Sequence, residues 1–342
     1  MHDAFAHIGG YLATGLRDVT TDLAALDGSG WWAVVATYEG KVTCARFDDV
    51  RPAPLPVPPR PWQGPARSAW RSSLDQDGYE RGVRRIRDYI EQGEVYQANL
   101  CRVLSAPLPH AGGDADPLAL AVRLAAGNPA PFAAVIDVPG LSVVSASPEL
   151  FLSRKGDVVE SRPIKGTGAT AGDLLEKDYP ENLMIVDLVR NDLGRVAAVG
   201  SVTVPSLFEI EEHPGLVHLV STVRATLPAG IGWPELFAAT FPPGSVTGAP
   251  KSTALRIINE LEPEPRGPYC GAVGWVDADR REGALAVGIR TFWIEHDMIR
   301  FGTGAGITWG SDPRLEWNET ELKAARLIGL ASRDEPEAER WS

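Results

Sequence analysis

Apolar residues recur along this chain with two periods, and the changes of period mark its elements. Over residues 79–92, Val83, Ile86, Tyr89 and Ile90 fall at helical spacing with arginines on the other side, and Gly93 supplies a stop. The run 31–38, the turn pair Glu39-Gly40 and the run 41–47 predict a pair of strands. A strand over 94–103 places Gln97 and Asn99 on one face, where two amides fit a solvated surface. A short helix over 117–126 leads to strands at 132–138 and 141–145, joined at Pro139-Gly140. Residues 178–193 predict a strongly apolar helix closed by Gly194. Residues 201–227 read as a strand, then a run that fits helix or strand through His218 and Ser221. A loop of small residues, 241–251, feeds a helix with Leu255, Ile258 and Leu261 on one face. Strands at 270–276, 284–294 and 298–301 lead through a glycine-rich turn to Gly306. Asp312 as cap and Pro313 in first position then open the last helix. Proline crowds 51–66, which predicts an extended connector. Residues 1–77 are therefore expected to be short strands and a connector packed on a main body, 78–332, with 333–342 a polar tail.

Composition narrows the class. The chain has 342 residues, 44% hydrophobic and 23% charged, with room for a sizeable core. A formal charge of −12 and the lack of any basic run argue against a nucleic acid partner, because phosphate contacts need clustered Lys and Arg. Cys44, Cys101 and Cys270 are widely spaced and read as small reduced core residues. The opening MHDAFAHIGG lacks the charged and apolar segments of a signal peptide, and no apolar run reaches the roughly 20 residues that span a bilayer. No membrane partner is expected, and the cytoplasm is the default location.

The candidate chemistry gathers around Glu160-Ser161-Arg162-Pro163-Ile164-Lys165-Gly166-Thr167. Pro163 fixes φ and Gly166 permits backbone geometry closed to other residues, so the Lys165 amine is presented from a constrained corner. Alone, Lys165 also fits a solvated surface charge. Glu149 stands beside Leu150 and Phe151, where burial would raise its pKa and suit it to donate a proton. Asp178/Glu181 and Glu316/Glu319 lie near two helix starts. Each pair also fits a structural part, as dipole-complementing acids or as a salt-bridge stripe with Lys323. If the helices meet, the four carboxylates suit Mg²⁺. Loop 241–251 offers N–H groups to an anion at a helix start. It is not a Walker loop, because Ala249-Pro250 separates Gly248 from Lys251, and the 302–307 stretch fails the dinucleotide spacing at Ile307. His218 alone fits a satisfied interior histidine. Together these residues fit a carboxylated small molecule held by Mg²⁺, attacked by Lys165 and protonated by Glu149.

The same residues sit in long motifs: GEVYQANL, SASPELFL, SRPIKGT, ENLMIVDLVRNDLG, VHLVSTV, FPPGSVTGAPKSTALRIINELEP, RGPYCGAVGW, Ile289-Arg290-Thr291, GTGAGI and SDPRLEWNETELKA. On these, over roughly residues 78–330, the chain resembles the chorismate-utilising enzymes, which include anthranilate, isochorismate, salicylate and aminodeoxychorismate synthases. The resemblance implies an α/β (α+β) fold of two antiparallel sheets packed face to face with helices outside. The PIKGT sequence is similar to the aminodeoxychorismate synthase component I branch, whose lysine adds to C2 of chorismate; anthranilate synthases tend to carry alanine there. Gln97 stands where isochorismate and salicylate synthases have a water-activating lysine, which disfavours hydration at C2.

The resemblance further implies that Glu181 and Glu319 hold Mg²⁺, with Asp178 and Glu316 on metal-bound water. Lys165 would attack C2 in its neutral form while Glu149 protonates the departing C4 hydroxyl. Ammonia would then attack C4 and expel the lysine, giving 4-amino-4-deoxychorismate for 4-aminobenzoate and folate. Tyr269, Arg290, Lys323 and the Gly304-Ala305-Gly306 backbone resemble carboxylate clamps, Thr247 and Gly248 lie in the matching substrate loop, and His218 matches a histidine near the ring. The ammonia is expected from a separate glutamine amidotransferase subunit. The connector between Thr167 and Glu181 is shorter than the family pattern and lacks the arginine after PIKGT. With this short N-terminal region, a complete regulatory tryptophan pocket is not expected. Two other readings remain. One is a relative that makes anthranilate or 2-amino-2-deoxyisochorismate. The other is a silent subunit, which predicts missing acids or lysine, yet Glu149, Lys165, Glu181 and Glu319 are all present.

Overall fold

Strands in this protein come from runs whose alternate residues face two different packing partners. The computed structural model describes residues 4–333 apart from 110–115, 169, 171, 173–175, 177, 214 and 215, with backbone only at Thr167, Gly168, His213 and Leu216. The polar tail expected over 333–342 lies, apart from Arg333, outside the described residues, as does part of the short connector after Thr167.

Among the described residues, 18 strands form one hydrogen-bonded network in which every pair is antiparallel. From one edge the order is Thr203–His213, Leu216–Thr226, then Val158–Arg162 and Ile164–Gly168 end to end along it. It continues through Leu150–Lys155, Glu282–Val287, Ala272–Asp277, Trp31–Ala36, Val42–Pro52 and Tyr11–Thr20. Phe5–Ile8 crosses to the second half: Phe132–Val138, Leu141–Ser147, Thr291–Glu295, Met298–Ile307 and Gln97–Pro107, with Arg71–Ser72 and Gly248–Ala249 on its far edge. The expected two layers are thus one sheet joined at the hairpin of Phe5–Ile8 and Tyr11–Thr20.

The large core draws on both halves, for example Val34 and Val276 from one, Ile136 and Val143 from the other. Alternation explains the second half. Ala134, Ile136 and Val138 enter the large core, whereas Val135 faces a second cluster under helices. Among the described residues, six α-helices cover the sheet: α1 Gln76–Glu91, α2 Pro117–Gly127, α3 Asp178–Gly194, α4 Trp233–Thr240, α5 Lys251–Leu261 and α6 Pro313–Ala331. Asp75, Asp116 and Asp312 cap α1, α2 and α6 by accepting backbone N–H bonds. Helices α2 and α6 close the second cluster, and α1 and α5 close a third over Ala98, Leu100, Ala305 and Ile307. The proline-rich connector is anchored where Trp62 Nε1 donates to the Ala331 carbonyl at 2.7 Å.

Two local expectations change and one open alternative is decided. The single strand expected over 284–294 is two, because Arg290 takes a left-handed φ of 53° between them. The glycine-rich turn expected before Gly306 is regular strand through Ile307, since its glycines make room for facing side chains. Residues 201–227 form two antiparallel strands. Among the described residues, no helix is long and apolar enough to cross a membrane.

Candidate active site

Glu149 falls in the gap between strands Leu141–Ser147 and Leu150–Lys155, and its side chain turns inward, 4% exposed. Ser147 fixes the gap: its hydroxyl donates to the Val287 carbonyl at 2.6 Å and accepts from the Glu149 N–H at 3.2 Å. Burial pushes the Glu149 carboxyl up to about 7; a bond from Ser245, the charge of Lys165 and the Ile164 N–H oppose this and keep it from rising further. The carboxyl is therefore poised to give or take a proton near neutrality.

Lys165 stands on strand Ile164–Gly168, directly after the residue whose N–H reaches Glu149. Gly166 has φ 79°, and a Cβ there would come within 2.7 Å of an Asp178 oxygen. The glycine thus lets the start of α3 close against the lysine corner. Asn182 pins that helix to the sheet, donating to the Leu219 carbonyl at 3.3 Å and accepting from the Ser221 hydroxyl at 2.5 Å. Buried His218 lies on the next strand, opposite Thr167 in register, so it belongs to the same wall.

The facing wall is built on strands Gln97–Pro107 and Met298–Ile307. A Cβ on Gly302 would strike the Tyr269 ring at 2.0 Å, on Gly304 the Cys101 sulfur at 2.5 Å, and on Gly306 the Gln97 amide at 2.2 Å. Alternate glycines therefore form a trough filled by Tyr269, Cys101, Gln97 and Asn99. Ala305 points to the other face, into the cluster under α1 and α5. Gln97 and Asn99 are not solvated as their spacing allowed. They are 1% and 8% exposed, and both polar atoms of Gln97 and the Asn99 oxygen lack a protein partner. Their strand is covered on its edge by the 241–251 loop, which the sequence pattern does not reveal. Burying amide atoms unbonded costs on the order of 1–3 kcal/mol, so this trough favours a polar guest. Lys323 reaches it from α6, donating to the Gly304 carbonyl at 3.2 Å.

Loop 241–251 joins the two walls. Ser245 touches Glu149, the Thr247 carbonyl accepts from the Asn99 N–H at 2.8 Å, and Gly248 pairs with Ala98. The Thr247 hydroxyl is used within the loop, on the Pro243 and Gly244 carbonyls. A Cβ on Gly248 would meet the Gln97 carbonyl at 2.1 Å, which explains the glycine. Lys251 does not offer its amine outward, since Asp192 and two carbonyls hold it. Arg290 combines left-handed backbone with burial that lowers its pKa, and among the described residues no carboxylate pairs with it. A strained, desolvated and uncompensated guanidinium is suited to a carboxylate ligand.

The four acids stand on two helices. α3 packs on Leu216–Thr226 and Ile164–Gly168, whereas α6 packs on α1, α2 and Met298–Ile307, so the helices lie on different parts of the sheet. Their oxygens suit a hard cation in kind. Among the described residues, though, no group of three His, Cys, Asp or Glu is placed to hold a metal ion. Glu319 accepts from Lys323 at 2.6 Å, and Asp178 and Glu316 are buried.

A family model described as chorismate binding enzyme matches residues 32–329. The chain belongs to that family. The match starts well before residue 78, in keeping with the N-terminal strands being central to the sheet. An aminodeoxychorismate synthase component 1 of Klebsiella aerogenes is 39% identical over 275 residues, 76% of this chain and 59% of that protein. An anthranilate synthase component 1 of Haloarcula marismortui is 37% identical over 273 residues, 76% of this chain and 55% of that protein. The chain thus spans under three-fifths of the length of these two relatives. The crystal structure of anthranilate synthase component I from Streptococcus pneumoniae shares the fold, with TM-score 0.78, 24% identity, and coverage of 96% of this chain and 91% of that one.

Ser245, Asn99, Asp192 and Lys251 belong to this family site's surroundings, yet sequence alone gave them no role. Ser245 and Lys251 lie in a motif already singled out, and Asn99 shares a strand face with Gln97. Only the register of distant strands shows what they touch.

Proposed function

We propose that this chain is the synthase component that makes 4-amino-4-deoxychorismate from chorismate and ammonia. The observation that carries the reading is the placement of Lys165 beside a buried carboxyl, Glu149, whose pKa lies at about 7. Neutral Lys165 adds to C2 of chorismate as the C4 hydroxyl leaves with the Glu149 proton as water. The added amine loses a proton, which restores Glu149. Ammonia attacks C4 while Glu149 returns a proton to the Lys165 nitrogen as its bond to C2 breaks, the new ammonium at C4 gives a proton back to Glu149, and the net change is hydroxyl for amine with release of water. Arg290, Lys323 and the Gly304–Gly306 backbone bind the substrate carboxylates, Tyr269 packs beneath, Thr247 and Gly248 shape the loop side, and His218 lines the ring. Gln97 offers an amide where a water-activating lysine would otherwise stand, with Asn99 on the same strand face.

Mg²⁺ would be held by Glu181 and Glu319, with Asp178 and Glu316 on its water, and when bound it supplies positive charge to the ring carboxylate. Ammonia would come from a glutamine amidotransferase partner, as the component 1 names of the relatives suggest. The product would feed a route to 4-aminobenzoate. A second reading, anthranilate formation, is favoured by the comparable identity to the Haloarcula protein.

Purified protein with chorismate, ammonium and Mg²⁺, with and without chelator, tests this by mass spectrometry of the products. Aminodeoxychorismate from the wild type and none from Lys165→Ala is the expected result. Anthranilate from the wild type would overturn the first reading in favour of the second.

A further inference from the structure

Behind Glu149 lies a second set of buried charges that the proposed chemistry does not use. Lys251, the first residue of α5, has a side chain only 15% exposed. Its amine donates to Asp192 at 2.5 Å, to the Thr240 carbonyl at 2.9 Å and to the Pro242 carbonyl at 2.9 Å. All three of its donors are thereby spent. Asp192 comes from α3 and is 4% exposed. The two carbonyls flank Phe241, at the end of α4, so one ammonium ties α3, α4 and α5 together at this point.

The tied corner continues directly into Pro243, Gly244 and Ser245, and Ser245 stands against the Glu149 carboxyl, both bordering one small cavity. Between the two sets is a cavity of about 20 Å³, room for one water, bordered by Glu149, Asp192, Thr240 and Ser245. The charged groups facing Glu149 are few: Lys165 from the neighbouring strand, and Asp192 across the cavity with Lys251 behind it.

We propose that the Lys251–Asp192 ion pair is a positioning unit for Glu149, holding the 240–245 corner so that the Ser245 hydroxyl stays on the carboxyl. This rests on the reading of Glu149 as the proton donor. The pair touches no reacting atom; it sets the pH at which Glu149 gives up its proton. A hydroxyl that donates to a carboxylate favours the ionised form, so slackening the corner raises the pH of deprotonation.

Difference infrared titration of the protonated carboxyl band, assigned as the band missing in Glu149→Gln, reads this directly on the purified chain. Asp192→Asn combined with Lys251→Met removes both charges and so leaves no lone buried ion. The expected midpoint rises by more than about half a pH unit in that variant and in Ser245→Ala. Adding Ser245→Ala to the double variant should move it no further, since both act through one bond. A midpoint unchanged in the double variant while Ser245→Ala moves it, or shifts that simply add, overturns the proposal. If the double variant does not fold, Asp192→Asn combined with Lys251→Gln, which also removes both charges, takes its place with the same expected direction. If neither folds, the pair is a structural tie and the proposal falls. Turnover by Glu149→Gln is measured separately: retained activity defeats the donor reading and leaves the infrared result standing by itself.

Discussion

Replacing Glu149 with glutamine keeps the shape and the hydrogen-bonding reach of the side chain but removes its charge. In the fold the carboxyl holds its proton up to about pH 7, against an ordinary value of 4.5. Between those two pH values the folded chain binds more of this proton than the unfolded chain does, so wild-type stability falls as pH rises through that window. Above pH 7 both states have lost it and the loss levels off. At about 1.4 kcal/mol per pH unit, the ionised carboxyl costs the fold on the order of 3 kcal/mol at pH 8. Glutamine carries no such cost. Urea unfolding of both proteins between roughly pH 4.5 and 8 should show the variant gaining on the wild type throughout, by about 2–3 kcal/mol in all. Parallel curves would refute the argument, because they would mean that Glu149 is as easily ionised inside as outside. A wild type that gains on the variant as pH rises would mean that the charge of Lys165 outweighs burial.

Gly302→Ala should cost about 3 kcal/mol or more by urea unfolding, because its Cβ would lie 2.0 Å from the buried Tyr269 ring. Gly306→Ala meets the ends of the Gln97 and Asn99 side chains and should cost less; equal costs would contradict the trough geometry. Arg290→Gly relieves left-handed backbone and an unpaired guanidinium, so stability should hold or rise by about 1 kcal/mol while the KM for chorismate climbs at least about tenfold. A destabilised variant with unchanged KM would remove Arg290 from the carboxylate site. Arg266 and Glu262 form a buried pair joined by two bonds at 2.6 and 2.8 Å. Arg266→Met leaves the carboxylate alone and should cost about 3–5 kcal/mol in the same assay; a loss under about 1 kcal/mol would show that water reaches Glu262.

Features that depend on near neighbours were legible in the amino-acid sequence. The 3.6-residue spacing of Val83, Ile86 and Tyr89 set α1, the Asp312-Pro313 pair set the start of α6, and the apolar run at 31–36 emerged as a strand buried along its whole length. The motifs were long enough to fix the family, because each packs many position-specific residues into one segment. What the tertiary structure decided depends on strands far apart in sequence coming into register. Gln97 and Asn99 read equally well as solvated amides until Gly306 and the 241–251 loop close over them. Lys251 had no role in the sequence beyond failing the Walker spacing, and its amine is taken by Asp192, on another helix. The strand expected over 284–294 broke at Arg290, since a left-handed residue leaves no periodic signature. The four acids had the spacing to share a face within each helix, but spacing cannot say where two helices lie on a folded sheet. That was settled by the different strands on which α3 and α6 pack.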